Sequence, residues 1–410
     1  MISTFYPPYS FGGDGMHVYR LSNELARRGH SVDVFYCEDS YLLMNGGRPT
    51  AEFPNHERVS LQPLKSGVGM LSPLITQQTG MPYFKGNLKK ALEANDYDVI
   101  HYNNMSLIGI KALSYGSAVK LYTMHEHWLV CPMHVLWRYN NEVCTKKSCF
   151  RCQIQGKRPP QLWRRTGLIE RMLKHVDCFL APSRFALEKH REMGLDIPMK
   201  RLPHFLPEMK KTVGTERFSQ LRPYFLFVGR LEYIKGVQNL IDAFKKCPEQ
   251  DLLIAGDGTY RVNLEIRAAG ASNIKFLGHL AQSELSDAYR AALGVIVPSI
   301  CFETFGLISI EAFSHRTPVI VNDLGALPEV VNESNGGFTY RSEDELLEAI
   351  RKIATNTDLR NELAENGYRA YRERWSEDSH IRQYIAMIRS IRAGRFAERT
   401  RFAKPALSLT

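Results

Sequence analysis

The sequence has no apolar run approaching the ~20 residues that a bilayer-spanning helix requires, which excludes a chain that crosses a membrane on helices. It has no basic-then-apolar leader; Met1–Phe5 reads directly as a strand, and a cytoplasmic chain is expected. It shows no self-similarity at a solenoid period and no recognisable nucleic-acid-binding module. What remains is ordinary globular make-up, 44% hydrophobic and 23% charged. At 410 residues the chain is long enough for two domains, each with its own core.

The net charge of +10 is concentrated rather than spread. Residues 138–175 carry +8, residues 389–404 carry +5, and the remainder is about −3. Two basic patches fit an anionic surface or acceptor, with membrane headgroups and nucleic acid both open, or simply a solvated basic face; without a nucleic-acid module, no nucleic-acid partner is expected. Four of the eight cysteines cluster as Cys131, Cys144, Cys149 and Cys152, ending in Cys-x-x-Cys. Disulfides are not expected in a cytosolic chain. The cluster reads either as a structural zinc site or as unpaired, partly buried thiols. Cys37, Cys178 and Cys301 lie in apolar strand-like runs and read as core.

The first half alternates strand-like runs ("SVDVFYC", "YDVIHY", "AVKLYTM", "VDCFLAPS") with helical patterns. The clearest helix is "DGMHVYRLSNELARRG", with Val18, Leu21 and Leu25 on one face and a stop at Gly29. The second half restarts the pattern with "PYFLFVGRL", "DLLIAGDG", "NIKFLG", "LGVIVPS" and "TPVIVND". Such alternation implies parallel sheets covered on both faces. The expected fold is α/β, with two doubly wound Rossmann-like domains facing across a cleft at the carboxyl ends of their strands. The polar, Pro-containing stretch 204–223 reads as the linker, and residues 1–207 and 217–375 as the two domains. A helix over 376–394, with Ile381, Ile385 and Ile388 on one side, is expected to pack back on the first domain, and 395–410 to form a flexible tail.

The chemistry centres on "PSICFETFGLISIEAF", residues 298–313. A strand ending near Ser299 and a helix starting near Gly306 would leave the amides of Phe305, Gly306 and Leu307 free at a helix N-terminus, a site for phosphate. Glu311 follows Leu307 by four residues, roughly 6 Å of rise at ~1.5 Å each, about the span from a diphosphate to the ribose of the same nucleotide. Glu303 falls on the other side of the phosphate, where an attached sugar would lie. Arg230 and Lys235 in "GRLEYIKG" supply cations in a strand-to-helix loop, where such folds bind ligands. Asp96-x-Asp98 opens a core strand far from these motifs and reads as a turn, not a Mg²⁺ site.

Together "STFYPPYSFGGDG", "GRLEYIKG", "AGDGTYR", "FLGHL" and "PSICFETFGLISIEAFSHRTPVIV" resemble the retaining nucleotide-sugar glycosyltransferases of family 4, which have the GT-B fold. The motifs fall in family order over residues 1–375, and the Glu-x7-Glu spacing is the most specific of them. The resemblance implies that residues 1–207 form the acceptor side, with a cysteine-containing insertion at about 131–160, and that 217–375 bind the nucleotide-sugar. It implies that Arg230, Lys235 and the amides of Phe305, Gly306 and Leu307 hold the diphosphate, that Glu311 binds the ribose, and that Glu303 binds the sugar. Gly256 and Gly258 would shape a loop by the nucleotide, and Gly12 and Gly13 would close on the phosphates from the other lobe. "TMHEHW" nominates His125 for the anomeric centre, with Glu126 standing where the family often has Asp.

The catalytic set implied is thus His125, Glu303, Arg230 and Lys235. With no carboxylate nucleophile evident, the resemblance implies same-face substitution in which the leaving diphosphate takes the acceptor's proton, with no metal required. The acceptor would be a glycan or a lipid-linked acceptor, and a peripheral position on an anionic inner leaflet would suit "GKRPPQLWRRTGLIERMLKH". A nucleotide-sugar epimerase and a non-catalytic binder share the architecture. A non-catalytic binder would lack Glu303 or His125, and both are present.

Overall fold

The structure is a computed structural model that describes residues 1–45, 47–84, 87–208 and 217–402. Two all-parallel sheets organise it. The first has seven strands in the spatial order Val59–Leu64, Val32–Cys37, Ile2–Ser3, Val99–Tyr102, Val119–Thr123, Cys178–Ala181, Met199–Arg201. The second has six, ordered Ile274–Gly278, Asp251–Ala255, Tyr224–Val228, Gly294–Val297, Val319–Asn322, Gly337–Tyr340. In both, strand order reverses beside the first strand, the switch point at which open α/β sheets bind ligands.

The runs become central strands because both faces find apolar cover. Along Tyr224–Val228, Tyr224 and Leu226 pack with Leu253, Val295 and Phe313 on one face. Phe225 and Phe227 pack with Leu240, Ile241 and Phe244 on the other. With both faces covered there is no polar alternation, and the strand reads as a continuous apolar run.

Residues 209–216 of the expected linker and 403–410 of the expected tail lie outside the described residues. The last helix runs Glu377–Phe402, past the end expected at 394. Ile381 and Tyr384 are buried against Val18, Leu21, Leu121 and Phe205 of the first lobe. Arg395 grips both carboxylate oxygens of Asp177 at 2.6 Å and also donates to the carbonyl of Ala118, which ties this helix to the first sheet. The chain thus crosses between lobes twice, and the crossings touch: Leu206 N–H donates to the Trp375 carbonyl at 3.0 Å, and Leu206 bridges to Ser376.

The insertion folds as a short hairpin, Trp137–Arg138 with Glu142–Val143, followed by a helix over Cys149–Gln155. All eight cysteines are free thiols. The zinc alternative is corrected: among the described residues no three His, Cys, Asp or Glu side chains converge to hold a metal ion. Cys144 donates to the Lys146 carbonyl and Cys152 accepts from the Tyr139 amide, so each serves the local backbone. Burial pushes the Cys131 thiol up to about 11, which keeps it protonated. Asp98, from the Asp-x-Asp pair, is engaged by Arg392 at 2.8 Å.

Candidate active site

Two helices end at the cleft with their amide ends toward each other. One is Gly13–Arg27, preceded by Gly12 at φ 74°. The other is Leu307–Ser314, preceded by Gly306 at φ 112°. Both glycines take a positive φ that this residue adopts without steric cost, Gly306 in the left-handed turn, so that the loop feeds straight into the helix. A Cβ added at Gly13 would lie 2.8 Å from Leu307 Cδ1, so the two ends are nearly in contact. Each carries about half a positive charge and unpaired N–H groups.

In the loop that leads into the second helix, Glu303 Oε1 meets Lys235 Nζ at 2.7 Å, and Ser299 Oγ donates to the same oxygen at 2.7 Å. Both ionic side chains are about a quarter exposed, at 23% and 24%. Burial opposes both charges, yet the attraction between them wins: Lys235 titrates above its ordinary value and Glu303 below its own. Lys235 is thus an ammonium and Glu303 a carboxylate at neutral pH. Among the described residues no hydrogen bond engages Glu303 Oε2, so that oxygen can accept from a ligand hydroxyl. Arg230 is 66% exposed and pairs at the surface with Glu232 at 2.9 Å. An exposed pair of this kind is weak, leaving the guanidinium free to turn to an anion.

The loop that carries Arg230 is fixed backbone to backbone. Gly229 N–H donates to Ala255 O at 3.1 Å, Leu231 N–H to Asp257 O at 2.9 Å, and Gly256 N–H to Gly278 O at 2.7 Å. Gly256 and Gly258 hold this loop by close approach, since a Cβ on either would strike a carbonyl of residue 229 or 231.

His125 lies across the cleft. Thr304 Oγ1 donates to the His125 carbonyl at 2.9 Å, so the glutamate loop and the histidine loop are joined directly. The ring Nε2 bonds Asn103 Oδ1 at 2.9 Å, and burial pulls the imidazole down to about 3, so it is neutral. Phe305 brings only its backbone: its ring is buried, edge-on to His204 at 5.4 Å. Glu311 accepts from Tyr289 OH at 3.0 Å; burial raises its pKa, opposed by Arg20 and by that hydrogen bond.

The structure brings in groups that the sequence reasoning passed over. Asp14, the third residue of the quoted "GGD", bonds the Gly15 amide at 2.8 Å and Asn104 at 3.0 Å; burial raises its pKa. Arg20, on the opposite lobe, lies near enough to Glu311 for their charges to attract. Asp14 was findable, as the acid after the double glycine, but Arg20 carries no local signal in a helix of alternating polar residues.

Two parallel doubly wound sheets, with the cleft at their switch points, are the architecture of the GT-B fold. The solved structures that this fold resembles include a sucrose-phosphate synthase from Thermosynechococcus elongatus, TM-score 0.72 and 19% identity over 96% of this chain and 98% of that one. Another is Anabaena HepE in complex with UDP-glucose, TM-score 0.67 and 17% identity over 95% and 99%. Family models match as well: Glycosyltransferase Family 4 over residues 11–206 and Glycosyl transferases group 1 over residues 212–370. The chain belongs to the family 4 glycosyltransferases. Its relatives include the Escherichia coli O-antigen chain mannosyltransferase C, 24% identical over 95% of this chain and 96% of the relative. A phosphatidyl-myo-inositol mannosyltransferase of Mycobacterium leprae is 25% identical over 89% and 90%. Among the described residues no helix is long and apolar enough to cross a membrane.

Proposed function

We propose that this glycosyltransferase moves a hexose-type sugar, with retention and without a metal, from a nucleotide diphosphate to a glycan or lipid-linked acceptor in polysaccharide or glycoconjugate synthesis. Residues 217–375 hold the donor and residues 1–207 the acceptor. The observation that carries this reading is the close approach of the two helix ends at Gly13 and Leu307, with the Lys235–Glu303 pair in the loop that leads into the second helix. A diphosphate in that slot receives amides from Gly12, Gly13, Phe305, Gly306 and Leu307 and cations from Lys235 and Arg230. These groups stabilise the charge that grows on the diphosphate as the sugar leaves. Glu303 Oε2 accepts from the sugar and Glu311 from the ribose. His125, neutral and held by Asn103, orients the anomeric centre. The incoming hydroxyl approaches on the face the diphosphate leaves, and the departing phosphate oxygen takes its proton.

The acceptor class is supported by the mannosyltransferase relatives named above, which act on O-antigen chains and phosphatidyl-myo-inositol. A cytoplasmic enzyme, peripheral on the membrane, accords with the basic stretch 138–175. The test is a panel of UDP-, GDP- and ADP-sugars scored by thermal shift and nucleotide release, with the product's anomeric configuration read by NMR and EDTA present in one arm. One donor should stabilise the protein, turn over in EDTA and keep its configuration. An inverted product or loss of turnover in EDTA would overturn the mechanism; stabilisation by no donor would overturn the reading.

A further inference from the structure

Residues 66–84 carry no charge; the flanking charges are Lys65 and Lys85. The helix at the centre of this stretch, Leu71–Thr79, is inside out for a protein in water. Ser72, Pro73 and Thr76 face the protein, whereas Leu71 and Leu74 are 59% and 44% exposed. Burying small polar groups while displaying leucines costs free energy unless another phase covers the leucines.

The display is also contiguous. Of the fourteen exposed large hydrophobic side chains among the described residues, ten fall between Met44 and Leu162, seven of them between Met44 and Tyr83. Met44 closes the neighbouring helix Glu38–Asn45, which packs on Leu71–Thr79. Trp163 Nε1–H donates to the Gln77 carbonyl at 2.9 Å, seating exposed Leu162 beside the same helix, and Arg165 stacks on exposed Phe150. Such patches mark interaction sites. Around this one stand Lys146, Lys147, Arg151, Lys157, Arg158, Arg165, Arg171 and Lys174, all exposed, against the nearby acids Glu170 and Asp196.

We infer that this face seats in an anionic bilayer, with the Leu71–Leu74 edge among the acyl chains and the cations of 146–174 on the headgroup phosphates. A second copy is a poorer occupant, because a two-fold pairing would set eight cations against eight. The helix Glu38–Asn45 also links the face to the cleft: Tyr41 stacks on Phe11, next to Gly12, with ring centroids 4.7 Å apart. A docked enzyme therefore presents its cleft mouth to the membrane. The inference rests on the proposed function only for its use, since a lipid-linked acceptor would be met there.

The test is flotation of the full chain with phosphatidylcholine vesicles, alone or with phosphatidylglycerol. The wild type should float with the anionic vesicles. Leu71→Asp/Leu74→Asp and, separately, Arg158→Glu/Lys174→Glu should lower binding at least tenfold at unchanged Tm. Val262→Asp/Ile266→Asp, the same change on exposed apolar residues of the other lobe, should bind as the wild type. Flotation of Leu71→Asp/Leu74→Asp at the wild-type level, or an equal loss in Val262→Asp/Ile266→Asp, overturns the inference. So does a wild-type dimer that this variant dissociates while neither protein binds vesicles. Nucleotide release from a soluble donor should be the same in all variants; its absence throughout counts against the proposed function and leaves vesicle binding to decide the inference.

Discussion

Gly13 and Leu307 stand on opposite lobes, yet a single methyl group added to the first would reach the second, 2.8 Å from Cδ1. Two like partial charges brought together in this way favour an anion between them. Gly13→Val should therefore raise KM for the donor at least ~10-fold, about 1.4 kcal/mol, with a much smaller change in Tm. Leu307→Ala, by clearing the obstruction, should recover part of the loss. Donor titration by calorimetry over the double-mutant cycle checks this, and strictly additive effects would show that the two residues do not share the slot.

Lys235 should be indispensable for turnover. Lys235→Met keeps the stem and removes the ammonium, and transfer should fall by ~10³-fold or more while circular dichroism is unchanged. Lys235→Arg, which restores the charge in a planar fork, should fall between the two. Normal turnover in Lys235→Met would remove Lys235 from the mechanism.

Acid should weaken the fold in a window set by histidine. His17, His101, His125, His204 and His380 form one buried cluster: His204 stacks on His125 at 5.0 Å and lies 4.5 Å from His17, His17 lies 5.5 Å from His380, and Tyr384 bonds His101 at 3.0 Å. Burial lowers every one of them, His101 and His125 to about 3 and His380 to about 4, with Arg20 near His204 adding repulsion. Above pH ~6.5 folded and unfolded chains bind equal numbers of these protons. Below it the unfolded chain binds more, so stability falls with pH by up to ~1.4 kcal/mol per unit for each imidazole. Urea midpoints between pH 6.5 and 5 should show this slope, and His380→Phe should reduce it by about one proton. An unchanged slope in the variant would remove His380 from the set.

Gly256 is held for steric reasons. Its φ is 134°, and a Cβ there would sit 1.9 Å from the Gly229 carbonyl oxygen. Gly256→Ala should cost more than ~3 kcal/mol in urea unfolding. Gly270→Ala, at φ 83° with open space around it, should cost only ~1 kcal/mol, the conformational part alone.

Much of this molecule was legible because its central strands are buried on both faces and announce themselves as apolar runs. The strands that went unread lie at sheet edges: Val59–Leu64 carries Pro63 and three exposed residues, and Met199–Arg201 and Gly337–Tyr340 are short. The turn from strand to helix at 298–313 was legible because helix start, glycine and acid sit in one stretch. The Thr304–His125 bond was not, since it joins residues 179 apart. The inverted helix Leu71–Thr79 escaped as well, because helical periodicity marks an apolar face without saying which side of it the protein covers.

The touching crossings at Leu206 and Trp375–Ser376 restrict how the lobes can move. Sliding or twisting one lobe over the other would tear that pairing, while rotation about the line through it leaves it whole. Any opening about that line must also part Thr304 from His125, so the bond between the glutamate and histidine loops is where an opening of the cleft would first be felt.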